Sequence, residues 1–192
     1  LSITGTLASR DATLKLKGVR HTIEHLDADL SIHGNDATVQ GLKAELQGSA
    51  VVLTGTLRNL MPYLLFDDQR LVIEAKGSSP RIDLAALISS EGASSNAKDY
   101  TLTLPNSIEL DLQARVVELV FEEFKATGIT ASVSMNGKVL RVSPMSFATA
   151  SGKVNGGLEL DARDASRSYP LATNATLNDI ELQQLFREFQ DF

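Results

Sequence analysis

Apolar and polar residues alternate along most of this chain, and a period of two is the signature of a half-buried β-strand. In residues 28–33, Ala28, Leu30 and Ile32 take one parity and Asp29, Ser31 and His33 the other. A two-residue turn at Gly34-Asn35 then predicts Ile32 opposite Ala37, Leu30 opposite Val39 and Ala28 opposite Gly41. The other face pairs Ser31 with Thr38 and Asp29 with Gln40. Apolar meets apolar and polar meets polar, which is what a correct register requires. The same folding at Asn136-Gly137 pairs Val133 with Leu140, Ala131 with Val142 and, on the wet side, Ser132 with Arg141. Gln47-Gly48 pairs Ala44 with Val51 and Leu42 with Leu53; Ser151-Gly152 pairs Thr149 with Val154 and Phe147 with Gly156.

A larger repeat overlies the hairpins. The phrase ITGTL (3–7) returns as LTGTL (53–57), and Gly34, Gly48 and Gly55 recur at Gly137, Gly152 and Gly157, offsets of 103, 104 and 102. The unit reads as strand, turn, strand, turn, closing strand. Repetition at this scale suggests an array. Residues 1–7 read as the closing strand of a unit, and the chain, which begins with Leu1, reads as a segment of a longer protein. Gly5 and Gly55 fall on the apolar parity, where a missing side chain permits close approach or a bend.

Three short helices are expected. They are 59–66, then 79–90 with Ser79 as cap and Pro80 in the first turn, and 178–189 with Asn178 as cap. The last carries Leu182, Leu185, Phe186 and Phe189 as one stripe. Residues 91–99 have the composition of a flexible loop, dividing an upstream segment 1–90 from a second β-repeat, 100–192. In strand 107–121, Ile108 through Val116 keep one parity while Val117, Leu119 and Phe121 take the other, so a β-bulge is expected at Val116-Val117.

These patterns define a mainly β chain: a long antiparallel meander with about three short helices. About ten strands with roughly four apolar side chains each, at ~1.5–3 kcal/mol per buried large side chain, leave several tens of kcal/mol dependent on covering one face. Three short helices cannot cover it. The sheet must pack on a second sheet, close into a barrel, or curl into a groove. A packed core needs no ligand; a groove demands an apolar one.

Little in the chain resembles catalytic chemistry. His21 and His25 share a parity, but their Cα atoms would lie ~13 Å apart on an extended strand. Asp67-Asp68 and Glu122-Glu123 are sequence neighbours, so on strands their side chains would diverge. They read as charged turns, and Glu109 and Asp111 as the solvent side of a strand. No nucleophile elbow, phosphate loop or zinc-protease motif occurs, and Gly156-Gly157 reads as a strand irregularity. Asn174-Ala175-Thr176 has the form of a glycosylation sequon. No catalytic residue, metal or cofactor is expected. The chain has no Cys and carries 18 Lys+Arg against 24 Asp+Glu, for a net charge of −6. Without a basic block, nucleic acid is not an expected partner.

The phrases also carry a resemblance. YTLTLPNSIELDLQARVVELVF (100–121) and ATGITASVSMNGKVLRVSPMSFATASGKVNGGLELDA (126–162) resemble the AsmA-like family of bacterial envelope proteins. LNDIELQQLFREFQDF (177–192) resembles the helix that follows those strands, and residues 19–66 an upstream copy with TGTLRNLMPYL as the strand-to-helix step. The resemblance implies a long sheet curved into a groove, related to repeating-groove lipid-transfer proteins. It implies a role in outer-membrane biogenesis, accommodating or moving phospholipid or another acyl-chain ligand. The implied location is the periplasmic portion of an inner-membrane-anchored protein, with membrane contact through other parts of the parent and possible envelope-protein partners. It carries over no catalytic residue. Parity alone nominates the groove lining: Leu30, Ile32, Val39, Leu42, Leu53, Leu110, Leu112, Val133, Leu140, Val142 and Leu158. The alternative is a non-catalytic structural or interaction module with a closed core.

Overall fold

A computed structural model describes residues 4–16, 21–88, 104–164 and 169–188 of the chain. The expected loop 91–99, Ile3 and Phe189 lie outside the described residues. The fold is mainly β, a single ten-stranded sheet whose strands follow chain order from β1 to β10. The strands are β1 (Thr4–Leu14), β2 (Ile23–His33), β3 (Asp36–Leu46), β4 (Ser49–Arg58), β5 (Leu71–Asp83), β6 (Ile108–Phe121), β7 (Phe124–Asn136), β8 (Val139–Thr149), β9 (Gly152–Asp161) and β10 (Leu171–Asn178). The sheet is curved and does not close: β1 and β10 are its two edges.

One neighbour pair departs from the antiparallel expectation. β5 and β6 run parallel, from Leu71 opposite Ile108 to Asp83 opposite Val120. Parallel neighbours need a long crossover rather than a hairpin, and residues 84–107 supply it. The other neighbours are antiparallel.

The hairpin registers keep the expected face at every named position except Gly41 while sliding in detail. Ile32 faces Ala37 and Leu30 faces Val39, as the alternation requires, but Ala28 faces Leu42 and Asp29 faces Gly41. A register shift between Asp29 and Leu30 absorbs one extra residue of β3. Ala44 faces Val51 and Leu42 faces Leu53 as expected. Two turns sit one position away from the expected dipeptide. Asn136 pairs with Val139, so the turn is Gly137-Lys138 and Val133 faces Val142 rather than Leu140. A further register shift between Ala131 and Val133 puts Ala131 opposite Met145, three residues beyond the expected Val142 and still on the same face. Thr149 pairs with Gly152, so the turn is Ala150-Ser151 and Phe147 faces Val154. Both slides move the partner by two residues, an even number, and therefore preserve the face. Gly152 opens β9 at a point where a Cβ would overlap the Asn178 carbonyl and the Asp179 backbone, so no other residue fits there without a shift.

The helices are α1 (Leu60–Leu65), α2 (Leu84–Ile88) and α3 (Leu182–Glu188). α1 seats Tyr63, 2% exposed, and its Met61 N–H donates to the Asn35 carbonyl at 3.1 Å. α2 is shorter than expected because Ser79, Arg81 and Asp83 remain in β5, paired to Val116, Glu118 and Val120 of β6. Ser79 is buried and accepts the Arg81 N–H at 3.2 Å while donating to the Ala50 carbonyl at 2.6 Å. The helix is capped instead by Asp83, whose Oδ1 accepts the Ala86 N–H at 3.0 Å. α3 also starts late. Asn178 is spent in the β10 ladder opposite Lys153, and Glu181 N–H donates to the Ala150 carbonyl at 2.9 Å. Its stripe is not packed: Phe186 is 67% exposed.

The bulge expected at Val116-Val117 is absent. β6 is a central strand, paired without register shift to β5 and β7 through this region, and it keeps its alternation to the end. Val117 therefore points to the polar side and is 67% exposed. The irregularity sits one strand over, between Thr127 and Thr130 of β7 in its pairing with β8, where Gly128 has a φ of 61°.

Candidate functional site

Register partners on adjacent strands point to the same side of a sheet, so apolar residues in register form rows across it. One row reads Leu7, Leu30, Val39, Gly55, Ala75, Leu112, Val133, Val142, Leu158, Thr173 from β1 to β10. A second reads Gly5, Ile32, Ala37, Leu57, Ile73, Leu110, Met135, Leu140, Leu160, Leu171, apolar at every strand. A third reads Ser9, Ala28, Leu42, Leu53, Gly77, Ala114, Ala131, Met145, Gly156, Ala175.

All of the nominated lining residues fall in these three rows and on one face. Leu30, Val39, Leu112, Val133, Val142 and Leu158 share the first row; Ile32, Leu110 and Leu140 the second; Leu42 and Leu53 the third. Val39 is buried and the rest are half-buried.

Residues outside the strands cover part of this face. Leu104, Ile108, Met135 and Ala162 form a buried cluster against which Leu16, Ile73, Leu110, Leu140 and Tyr169 pack. Leu16, Leu104 and Tyr169 come from connections, and they cover the middle of the second row. His21 ties the β1–β2 connection to α2: its Nε2 donates to the Leu87 carbonyl at 2.8 Å, while its buried Nδ1 has no partner. A second buried cluster, Leu26, Ala28 and Ala44, gathers Leu30, Leu42 and Val51 around it. At the edges the apolar face is open: Leu7 is 52% exposed and Leu171 62%.

The opposite face is polar, and it holds an open cavity of about 1210 Å³. Its walls are two rows, polar except for Val52 at the β4 end. Thr54, Lys76, Gln113 and Ser132 are successive register partners on one side. Val52, Ser78, Arg115, Thr130, Ser146, Asn155 and Thr176 are successive partners on the other. The floor is the backbone of Leu53, Gly77, Ala114, Ala131, Met145 and Gly156. Of the nominated lining residues only Leu53 borders this cavity. Parity alone missed the cavity. The positions of Lys76 and Arg115 on solvent-facing parities were readable, but the β5–β6 register that joins them was not.

On the polar face Arg58 pairs with Glu74, Arg70 with Glu109 at 3.5 Å and Arg141 with Glu159 at 2.6 Å, whereas Arg81 and Glu118, 3.2 Å apart, share the parity of the apolar rows at the far end of β5 and β6. Asp161 is held down to about pKa 2 by the hydrogen bond from the Arg163 side chain, helped by the Arg163 backbone N–H. His25 and Asp11 face each other across β1 and β2, Nδ1 to Oδ1 2.8 Å, and the Asp11 carboxylate raises the imidazole pKa through that hydrogen bond. His21, His25 and His33 do not converge, and no group of three or more His, Asp or Glu able to hold a metal occurs among the described residues. Asp67-Asp68 and Glu122-Glu123 lie in turns.

Comparison with protein-family models, with curated proteins and with solved structures finds no match. No helix among the described residues is long and apolar enough to cross a membrane.

Proposed function

We propose that this sheet is a non-catalytic segment of a cell-envelope protein whose apolar face accommodates phospholipid acyl chains, serving lipid movement between membranes. The observation that carries the reading is a set of three rows on one face of an open sheet: one has no polar residue on any strand, one is apolar from β1 to β9 and one from β2 to β10. Leu112, Val133, Val142 and Leu158 sit in the middle of the first row and remain half-buried. Aliphatic surface of that extent is stabilised by contact with something apolar, at about 25 cal/mol per Å² removed from water. A continuous strip favours a long flexible chain over a compact ligand. The envelope setting, with an inner-membrane anchor elsewhere in a longer protein, rests on the AsmA-like resemblance alone.

The experiment is native mass spectrometry with lipid extraction of the purified chain, alongside Leu112→Asp and Val133→Asp. Co-purifying phospholipid that is lost in variants with unchanged circular dichroism supports the reading. Folded variants that retain lipid, or a wild-type chain that carries none, defeat it.

One observation favours a second reading. Leu16, Leu104 and Tyr169 pack over the second row, as they would in a structural or interaction module whose core is sealed by its own connections.

A further inference from the structure

The polar furrow lies on the face opposite the apolar rows and has no part in the acyl-chain reading. It follows seven strands from β4 to β10, about 29 Å of sheet at ~4.8 Å per strand. We propose that this furrow binds an acidic oligosaccharide, with Lys76 and Arg115 holding its negative groups.

The charge of the furrow runs against that of the chain. The whole sequence carries −6, yet the residues bordering the cavity include Lys76 and Arg115 and no Asp or Glu. The carboxylates of Glu74, Glu109 and Glu159 on the same face are each engaged by an arginine. Lys76 and Arg115 make no ion pair among the described residues and both are exposed. Lys76 faces Gln113 and Ser78 faces Arg115 across the parallel β5–β6 pair. The two cations are thus diagonal neighbours, roughly 7–8 Å apart at the backbone. Long side chains at that spacing reach one acidic group together or two successive groups on an extended ligand.

The remaining wall chemistry selects among anions. Besides Lys76 and Arg115 the furrow presents hydroxyls and amides, from Thr54, Gln113, Ser132, Thr130, Asn155 and Thr176, interspersed with apolar surface, and such groups donate to and accept from sugar hydroxyls at close spacing while the apolar surface meets sugar C–H faces. A peptide extended on this surface would leave its own backbone N–H and C=O groups without a ladder, because a sheet face offers side chains and only an edge offers backbone. Single-stranded nucleic acid needs aromatic platforms for its bases, and no aromatic residue borders the furrow. A polyhydroxylated chain carrying acidic groups fits both the charge and the length.

The test is a titration of the intact chain at low salt with hexagalacturonate, followed by NMR shifts and calorimetry. Maltohexaose serves as the neutral chain of equal length and hexaglutamate as the acidic peptide. Saturable binding of hexagalacturonate, none of maltohexaose, and at least tenfold weaker binding of hexaglutamate are expected. Lys76→Ala and Arg115→Ala should each weaken hexagalacturonate about tenfold, equivalent to about 1.4 kcal/mol, with unchanged circular dichroism. Arg187→Ala, on α3, should leave it unchanged, and raised salt should weaken it. Equal affinity for hexaglutamate, indifference to both furrow substitutions, or no binding of hexagalacturonate overturns the assignment. Lipid content is read separately, so the apolar-face reading stands or falls independently of this result.

Discussion

A Cβ added to Gly55 would come within 2.7 Å of the Ala75 Cα on the neighbouring strand and would overlap the Glu74 carbonyl. Gly55 also has a φ of 154°, which side chains rarely adopt. Here the sheet interior depends on a missing side chain. Gly5, in the other copy of the same phrase, has nothing within 4 Å of the equivalent position. Gly55→Ala is therefore expected to destabilise the chain by about 1–3 kcal/mol, and Gly5→Ala to stay within about 0.5 kcal/mol. Urea unfolding of the two variants checks the contrast. Equal midpoints would mean that β4 and β5 do not approach as described.

That contrast shows how far the sequence could be read. ITGTL and LTGTL look interchangeable, and alternation places both glycines on the apolar side correctly. Alternation cannot tell that β1 is an edge while β4 is flanked by β3 and β5, because neighbours along the sheet are set by long-range pairing. The same limit explains the parallel β5–β6 pair and the late start of α2. Ser79-Pro80 is a good helix start locally, but pairing with β6 through Asp83 and the Ser79 hydroxyl bond to the Ala50 carbonyl of β4 outweigh a capping preference worth about 1 kcal/mol. Every named face except that of Gly41 survived the register slides because the slides were even or absorbed by a bulge. The apolar rows were therefore legible residue by residue from Leu30 to Leu158, whereas the polar furrow required the register between Lys76 and Gln113.

The next expectation concerns α1. Tyr63 is 2% exposed, whereas Leu65 on the same short helix is 66% exposed. Asn59, before the helix, does not cap it with its side chain, which donates instead to the Arg70 carbonyl at 2.7 Å. The helix is held by its one anchor. Tyr63→Ala should cost about 3–5 kcal/mol and Leu65→Ala no more than about 0.5 kcal/mol, both read from thermal or urea unfolding. A Tyr63→Ala variant as stable as wild type would show that α1 does not seat on the sheet.

Ser79 offers a polar counterpart. Its buried hydroxyl bridges the Ala50 carbonyl of β4 and the Arg81 N–H of β5, beside Pro80, which has no N–H to give. Ser79→Ala keeps the volume nearly constant and strands both groups, so a loss of about 1–3 kcal/mol is expected. Amide hydrogen exchange at Arg81 should accelerate in the same variant. Unchanged exchange there would mean that the hydroxyl is not its partner.

The last expectation is a titration. Asp11 and His25 both hold positive φ, 50° and 49°, where the β1–β2 register shifts, and the Asp11 N–H is accepted by Asp27 Oδ1 at 2.8 Å. The Asp11 carboxylate lies against the imidazole, so His25 should titrate above its ordinary 6.5. A folded pKa above the unfolded one means that the pair contributes stability fully below about pH 6.5 and loses it as pH rises through the folded value. Both side chains are exposed, so salt should shrink the shift. NMR titration of the His25 ring, compared with Asp11→Asn, reads it directly. The midpoint should fall toward 6.5 in the variant, and a wild-type midpoint at or below 6.5 would show that the imidazole and the carboxylate do not meet across this bulge.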